Sequence, residues 1–368
     1  MLVLSEDQRM LMDSARSVIA AKAPIALWRR LRAEASPDGF SREFWRECVA
    51  LGWSGVLVPQ EFGGIDFGVV GAGLIAREMA RTLAASPLLS SAALGASALR
   101  RSKSEAVKAK WLPRIASGEA IVAFASDEGA HPNDETPAVA LKSATGWKVS
   151  ASKLFVLDGH VADAIVVSSR NFHGHPELFF VEADAAGITR DARTLVDNRR
   201  VASVNFEGVQ VTDDAHLGDI ALIDATLDVG RAVVAAALCG VAEEAFARTA
   251  GYLKQRKQFD RRIGSFQALQ HRAAQMHIDI ENAWSATLKA LQALDEDAPS
   301  AALDVAVAKA KASRTACEAT AECLQMHGGI GMTDEFDIGL FLKRARVDSV
   351  LFGDAAFHAD RVATMSGY

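Results

Sequence analysis

KWLPRIASGEAIVAFA, residues 110–125, is where the chain changes character. The first half carries apolar residues at helical spacing. After Gly118 the run AIVAFA is short and continuously apolar, the pattern of a buried strand. Toward the C-terminus the same texture recurs in GWKVSASKLFVL (146–157), DAIVVSS (163–169), ELFFVEA (177–183) and ASVNFEGVQV (202–211), with Gly, Asp, Asn and Pro between the runs. This spacing predicts an antiparallel β-domain over residues 120–218. Toward the N-terminus the period is helical, as in Leu74, Ile75, Met79 and Leu83, with Gly/Pro breaks at 35–39 and 58–64, which predicts a helical domain over 1–119. From 219 onward, long Ala-rich segments at 221–253, 265–294 and 300–326 predict an antiparallel helical bundle over 219–368, with Leu227, Val234, Leu238 and Val241 on one apolar stripe. The fold class is therefore α+β and multidomain: N-terminal helical domain, middle antiparallel β-domain, C-terminal four-helix-bundle domain.

Composition narrows the function. Half of the 368 residues are hydrophobic, enough for more than one core, and the formal net charge is −6. Basic residues are scattered, which argues against a dedicated nucleic-acid surface. The N-terminus reaches Glu6 with no long apolar run, so neither a signal peptide nor a membrane span is expected, and a cytoplasmic location is. Cys48, Cys239, Cys317 and Cys323 form no CxxC pair and read as buried free thiols; without an HExxH spacing no metal site is expected.

Two stretches suggest chemistry. YLKQRKQFDRRIGSFQALQH (252–271) sets Lys254, Arg256, Lys257, Arg261 and Arg262 beside Phe259, Phe266 and Gln267. Cations next to flat side chains and an amide suit a ligand with phosphates and an aromatic base, although a solvated basic helix end has the same composition. QMHGGIGMTDE (325–335) has three glycines within four positions, more than a helix C-cap needs, so that a ligand can approach the backbone; a plain helix connection is the alternative. A third stretch, LFGDAAF (351–357), puts Gly353 and Asp354 between two helical segments, where Gly suits a helix end and Asp an N-cap.

In this order, together with LSEDQRML (4–11), ALGWSGVLVPQEFGG (50–64) and KWLPRIASGEAIVAFA, these stretches make the sequence resemble the acyl-CoA dehydrogenase family of flavoproteins over nearly its whole length. The resemblance implies FAD bound in a tetramer, with the ADP half reaching a neighbouring subunit. Arg256, Gln258 and Phe259 match the family positions around the pyrophosphate, Gln267 matches the adenine-side amide, and Gln325, Gly328 and Gly329 match the glycine loop over the ADP. It also implies an acyl-CoA substrate, oxidised to the trans-2-enoyl-CoA, and electron-transfer flavoprotein or a similar acceptor.

The flavin end departs from the family pattern. Where relatives carry T-E-P-G-A-G-S-D, this chain has SDEGAHPND starting at Ser126; where they carry W-I-T-N, it has FVLD, with Phe155 able to cover a ring and Leu157 in place of a hydroxyl. The family removes the substrate α-proton with the Glu of an E-G-T loop. Counted without gaps from Gln325, that Glu falls on Phe352, the Gly on Gly353 and the Thr on Asp354. Some family branches place the base on the first long C-terminal helix, just before an Arg matched here by Arg231, but the preceding residue is Gly230. Three readings follow: one subunit of a heteromeric enzyme whose paralogous partner supplies the Glu, a self-sufficient homomer using Asp354 as base, and a non-redox acyl-CoA-binding homologue with a structural or regulatory role.

Overall fold

Local capping fixes several helix starts. Ser5 opens α1 (Glu6–Lys22) with a capping box, its hydroxyl accepting from Gln8 N while Gln8 Oε1 accepts from Ser5 N. α2 (Ile25–Ala33) follows; Ser41 caps α3 (Arg42–Ala50), then come α4 (Gly68–Arg81), a π-helical stretch at Leu88–Gly95 and α5 (Ala96–Arg101), and Ser104 caps α6 (Glu105–Ala116). The computed structural model describes residues 3–126 and 138–368.

The strands are β1 (Val122–Ala125), β2 (Val139–Ser143), β3 (Gly146–Leu157), β4 (Ala164–Arg170), β5 (Pro176–Glu182), β6 (Ile188–Thr194), β7 (Arg200–Val211) and β8 (His216–Asp219). They form one sheet in the order β6-β7-β3-β2-β4-β5-β8, with β1 also paired to β4. The sheet is mixed, which corrects the expectation of a purely antiparallel domain. β1 runs parallel to β4, and β2 meets β4 in parallel at Val139–Arg170. A long connection carrying the β2–β3 hairpin returns the chain to β4 in the direction of β1, which a tight turn cannot do. Val149, Val167, Phe179, Val181, Val204 and Phe206 are at most 1% exposed and make the sheet's core; each contributes roughly 1.5–3 kcal/mol by leaving water.

The C-terminal part begins with α7 (Ile220–Gln255), followed by the hairpin β9 (Lys257–Gln258) and β10 (Arg261–Arg262), then α8 (Gln267–Asp295), α9 (Ala301–His327), α10 (Ile338–Val350) and α11 (Ala355–Met365). Val234, Leu238 and Val241 are buried as expected from the stripe. So are Ala232, Val233, Ala235, Ala236, Cys239, Ala242 and Ala245, while Leu227 is half-buried, so the middle of α7 is buried on all sides and has no single apolar face. It is long and apolar enough to cross a bilayer, yet 83% of its apolar window is buried inside the protein, as in a core helix.

Packing divides the chain into two compact units. One comprises Met1–Arg30, Gly73–Ala84 and Arg231–Tyr368; the other comprises Leu31–Ala72 and Ala85–Gly230. Within the first, the end of α4 lies against α7 so closely that a Cβ on Gly240 would stand 2.1 Å from Arg77 O. The Arg77 guanidinium then reaches Glu243 (Nε to Oε1, 3.1 Å) and lies 3.8 Å from the centroid of the Trp284 ring on α8, so a largely desolvated cation is both paired and stacked.

Candidate functional site

Three helix ends converge at one end of the first unit. α7 finishes with Arg256 N bonded back to Tyr252 O, and the β9–β10 hairpin turns at Phe259 and Asp260 with φ of +52° and +61°, as a two-residue hairpin turn requires. Phe259 is 86% exposed at its tip. Arg256, Gln258 and Gln267 are exposed as well, and Arg261 stacks 4.0 Å over Phe266. The end of α9 is fastened alongside. Tyr252 stacks on His327 with centroids 4.4 Å apart, its hydroxyl donates to His327 O at 3.4 Å, and Arg272 of α8 pairs with Glu322 of α9. Gln325, Gly328 and Gly329 are therefore exposed at the same end. Gly328 has φ +66° and ψ −149°, a conformation open essentially to glycine alone, and a Cβ on either glycine would meet nothing within 4 Å.

The seven residues expected around an ADP group are thus brought together. Exposed cations beside the bare backbone at 328–329 make a surface whose chemistry suits a phosphate-bearing ligand. Beside them lies a cleft of about 420 Å³ lined by Arg248, Tyr252, Gln255, His327, Glu335 and Phe336. Tyr252, His327 and Phe336 had no individual signal in the sequence beyond being rings in or beside the basic and glycine-rich stretches.

The 351–354 turn is held from three helices. Phe352 is buried with φ +57°, and its carbonyl accepts from Arg231 Nε of α7 and His358 Nε2 of α11, both at 3.1 Å. Gly353 has φ +104°, and a Cβ there would stand 2.3 Å from Phe357 Cδ1. Beneath the turn, Lys309 of α9 is fully buried and its Nζ donates to Gly353 O (2.9 Å), Ser349 O (3.0 Å) and Ser313 Oγ (3.1 Å). Burial, reinforced by Lys309 and Arg231, pushes the His358 imidazole down to about 3, so it is neutral and Nε2 carries the hydrogen given to Phe352 O. Asp354 is exposed and is the N-cap of α11, its Oδ1 accepting from Phe357 N at 2.8 Å. Arg231, matched to a substrate-side position, is 5% exposed with its Nε committed to Phe352 O.

Ser126 and Phe155 stand in the second unit. Ser126 O accepts from the Nζ of Lys153, itself fully buried, at 3.2 Å; the rest of SDEGAHPND (127–134) lies outside the described residues. A bulge between Lys153 and Val156 puts Phe155 at φ +53° and leaves it 45% exposed, so a strained residue presents a bare aromatic ring. Leu157 is 7% exposed. Asp158 is partly buried; its carboxyl accepts from Ser90 Oγ of the π-helix at 2.5 Å, and desolvation pushes it up to about 6.

Family models cover most of the chain: "Acyl-CoA dehydrogenase, N-terminal domain" matches residues 5–119 and "Acyl-CoA dehydrogenase, C-terminal domain" residues 220–366. Acyl-CoA dehydrogenase FadE12 of Mycobacterium tuberculosis is 31% identical over 321 residues, 83% of this chain and 82% of that protein. The chain belongs to the acyl-CoA dehydrogenase family. Its fold matches the ChsE4-ChsE5 complex from M. tuberculosis with a TM-score of 0.92 at 26% identity, covering 100% of this chain and 99% of that one. The Tcur3481-Tcur3483 steroid ACAD matches with a TM-score of 0.88 at 28% identity over 98% of each chain. As in the family, the cofactor is FAD and the chemistry is oxidation of a CH–CH bond of an acyl-CoA. The open glycine backbone and the exposed cations at the bundle end fit the ADP half of FAD.

Proposed function

We propose that this chain is one subunit of a heteromeric acyl-CoA dehydrogenase, supplying ADP-binding residues while a paralogous partner supplies the catalytic carboxylate. The observation that carries this reading is the contrast between two ends of one unit. Arg256, Gln258, Phe259, Gln267, Gln325, Gly328 and Gly329 are exposed and ready for a dinucleotide, whereas the base position is a buried Phe352. A phenyl ring cannot take the weakly acidic α-proton. The nearest carboxylate in sequence, Asp354, is exposed and engaged as a helix cap, not held in a water-poor site where a base gains strength. FAD, when bound, supplies the hydride acceptor.

Two further observations support an assembly. Large apolar side chains stand exposed at the ADP end, Phe259 at 86% and Met332 at 76%, a feature of interaction surfaces. The two solved relatives named above each carry the names of two proteins, and one of them is called a steroid ACAD. Bulky, ring-bearing acyl-CoA thioesters are therefore the substrates to try first, in a heterotetramer delivering electrons to an electron-transfer flavoprotein.

Asp354→Asn distinguishes this reading from a self-sufficient enzyme. Asn is as good an N-cap as Asp, so stability is expected to stay within about 0.5 kcal/mol. Turnover of the assembled enzyme should change less than about twofold, because no proton passes through residue 354. A loss of about 100-fold or more in kcat at unchanged Tm and flavin content would make Asp354 the base.

A further inference from the structure

We propose that Lys309 positions the 351–354 turn and that closure of the turn is linked to a proton on this lysine. Of the three acceptors around Nζ, Gly353 O belongs to the turn and Ser349 O to the last turn of α10 that leads into it; the third is Ser313 Oγ, one helical turn along α9. Lifting the turn together with the last residues of α10 removes those two carbonyls and lets water reach Nζ. Closed, the site satisfies either protonation state. An ammonium gives one hydrogen to each acceptor. A neutral amine gives two to the carbonyls, and Ser313, whose hydroxyl also lies 3.4 Å from Ser349 O, can turn its own hydrogen to the nitrogen lone pair. What differs between the states is the cost of a buried charge.

The surrounding groups set that cost. Asp348 on α10, 2% exposed, and Asp354 in the turn favour the ammonium, as does Cys317 on α9; Arg231 on α7 opposes it, and His358 on α11 is neutral above pH 5. Burial outweighs them all and pushes Lys309 from 10.5 down to about 7. Between those values the closed turn holds a neutral amine, while the lifted turn, with Nζ in water, holds an ammonium. Opening therefore takes up a proton, so it becomes easier as pH falls from 10.5 toward 7 and levels off below 7.

Hydrogen exchange of the full chain at pH 6.5 and 8.5, in wild type, Lys309→Gln and Lys309→Met, tests this. After correction for intrinsic rates, opening of a peptide spanning 350–357 is expected to be about tenfold or more greater at pH 6.5 than at pH 8.5 in wild type, while α8 peptides show no such change. Both variants, which cannot titrate at 309, should show no pH dependence there. A flat wild-type response, or a pH dependence that persists in Lys309→Gln, would overturn the proposal. Lys309→Gln keeps two N–H donors should Lys309→Met not fold, and the wild-type comparison decides alone if neither variant does. The experiment needs neither FAD nor acyl-CoA, so its outcome is independent of the heteromeric reading.

Discussion

Arg256→Glu is expected to strip FAD from the assembled enzyme while leaving the chain folded. A guanidinium held against a phosphate contributes about 1.5–3 kcal/mol through charge-assisted bonds, and replacing it with a carboxylate adds repulsion, so FAD affinity should fall about 100-fold or more. Arg256 is exposed at the end of α7, and its backbone N, bonded to Tyr252 O, is untouched by the change. The Tm should move by no more than about 2 °C, as for an ordinary surface substitution. Titration of the apo-enzyme with FAD, followed by flavin fluorescence, checks the first number and a melt checks the second. Full FAD retention would remove this end of the bundle from the cofactor site.

Gly240→Val is expected to prevent folding, because α4 and α7 approach there backbone to backbone. Even a single Cβ at 240 would stand 2.1 Å from Arg77 O, and neither atom can rotate away as a side-chain tip can. Separating the helices would also part Arg77 from Glu243 and Trp284. The combined cost should exceed about 4 kcal/mol, a large part of the roughly 5–15 kcal/mol that holds a domain folded. The readout is the yield of soluble protein and its circular dichroism melt. A variant melting within about 2 °C of wild type would contradict the packing described for this helix pair.

The sequence made the long helices legible to within two residues. α7, α8 and α9 are continuous Ala- and Leu-rich periods, with Asp219 and Ser300 just before α7 and α9 and Gly328 just after α9, so local pattern and tertiary outcome agree. Strands were legible where the core claims most of their side chains, as in β4 and β5. β6, reading ITRDART, is an edge strand exposed along nearly its whole length, and the short β2, VALKS, buries only Ala140, so neither has the signature of a core strand. The parallel pairing of β1 with β4 is a contact between distant segments that no local pattern encodes.

At the candidate site, the exposed cluster at the end of the bundle was legible because cations, a flat ring and glycines cluster in the sequence itself. The clamp on the 351–354 turn was not. Its members, Arg231, Lys309 and His358, lie on three helices and meet only through packing. Lys309 did leave a trace: it falls on the buried line of Val305, Ala308, Ala312 and Ala316, and a lysine on such a line has to find buried acceptors. Phe352 illustrates the opposite case, since its apolar character is plain in the sequence but its meaning depends on which residue relatives carry there.

The most direct test of the account is to purify this chain alone and together with a paralogue that carries the E-G-T glutamate, load both with FAD, and follow anaerobic bleaching of the flavin band on adding acyl-CoA. The account predicts no bleaching with the chain alone and stoichiometric bleaching with the pair, lost when the partner's glutamate is changed to Gln. Stoichiometric FAD and full bleaching in a homo-oligomer of this chain alone would contradict it.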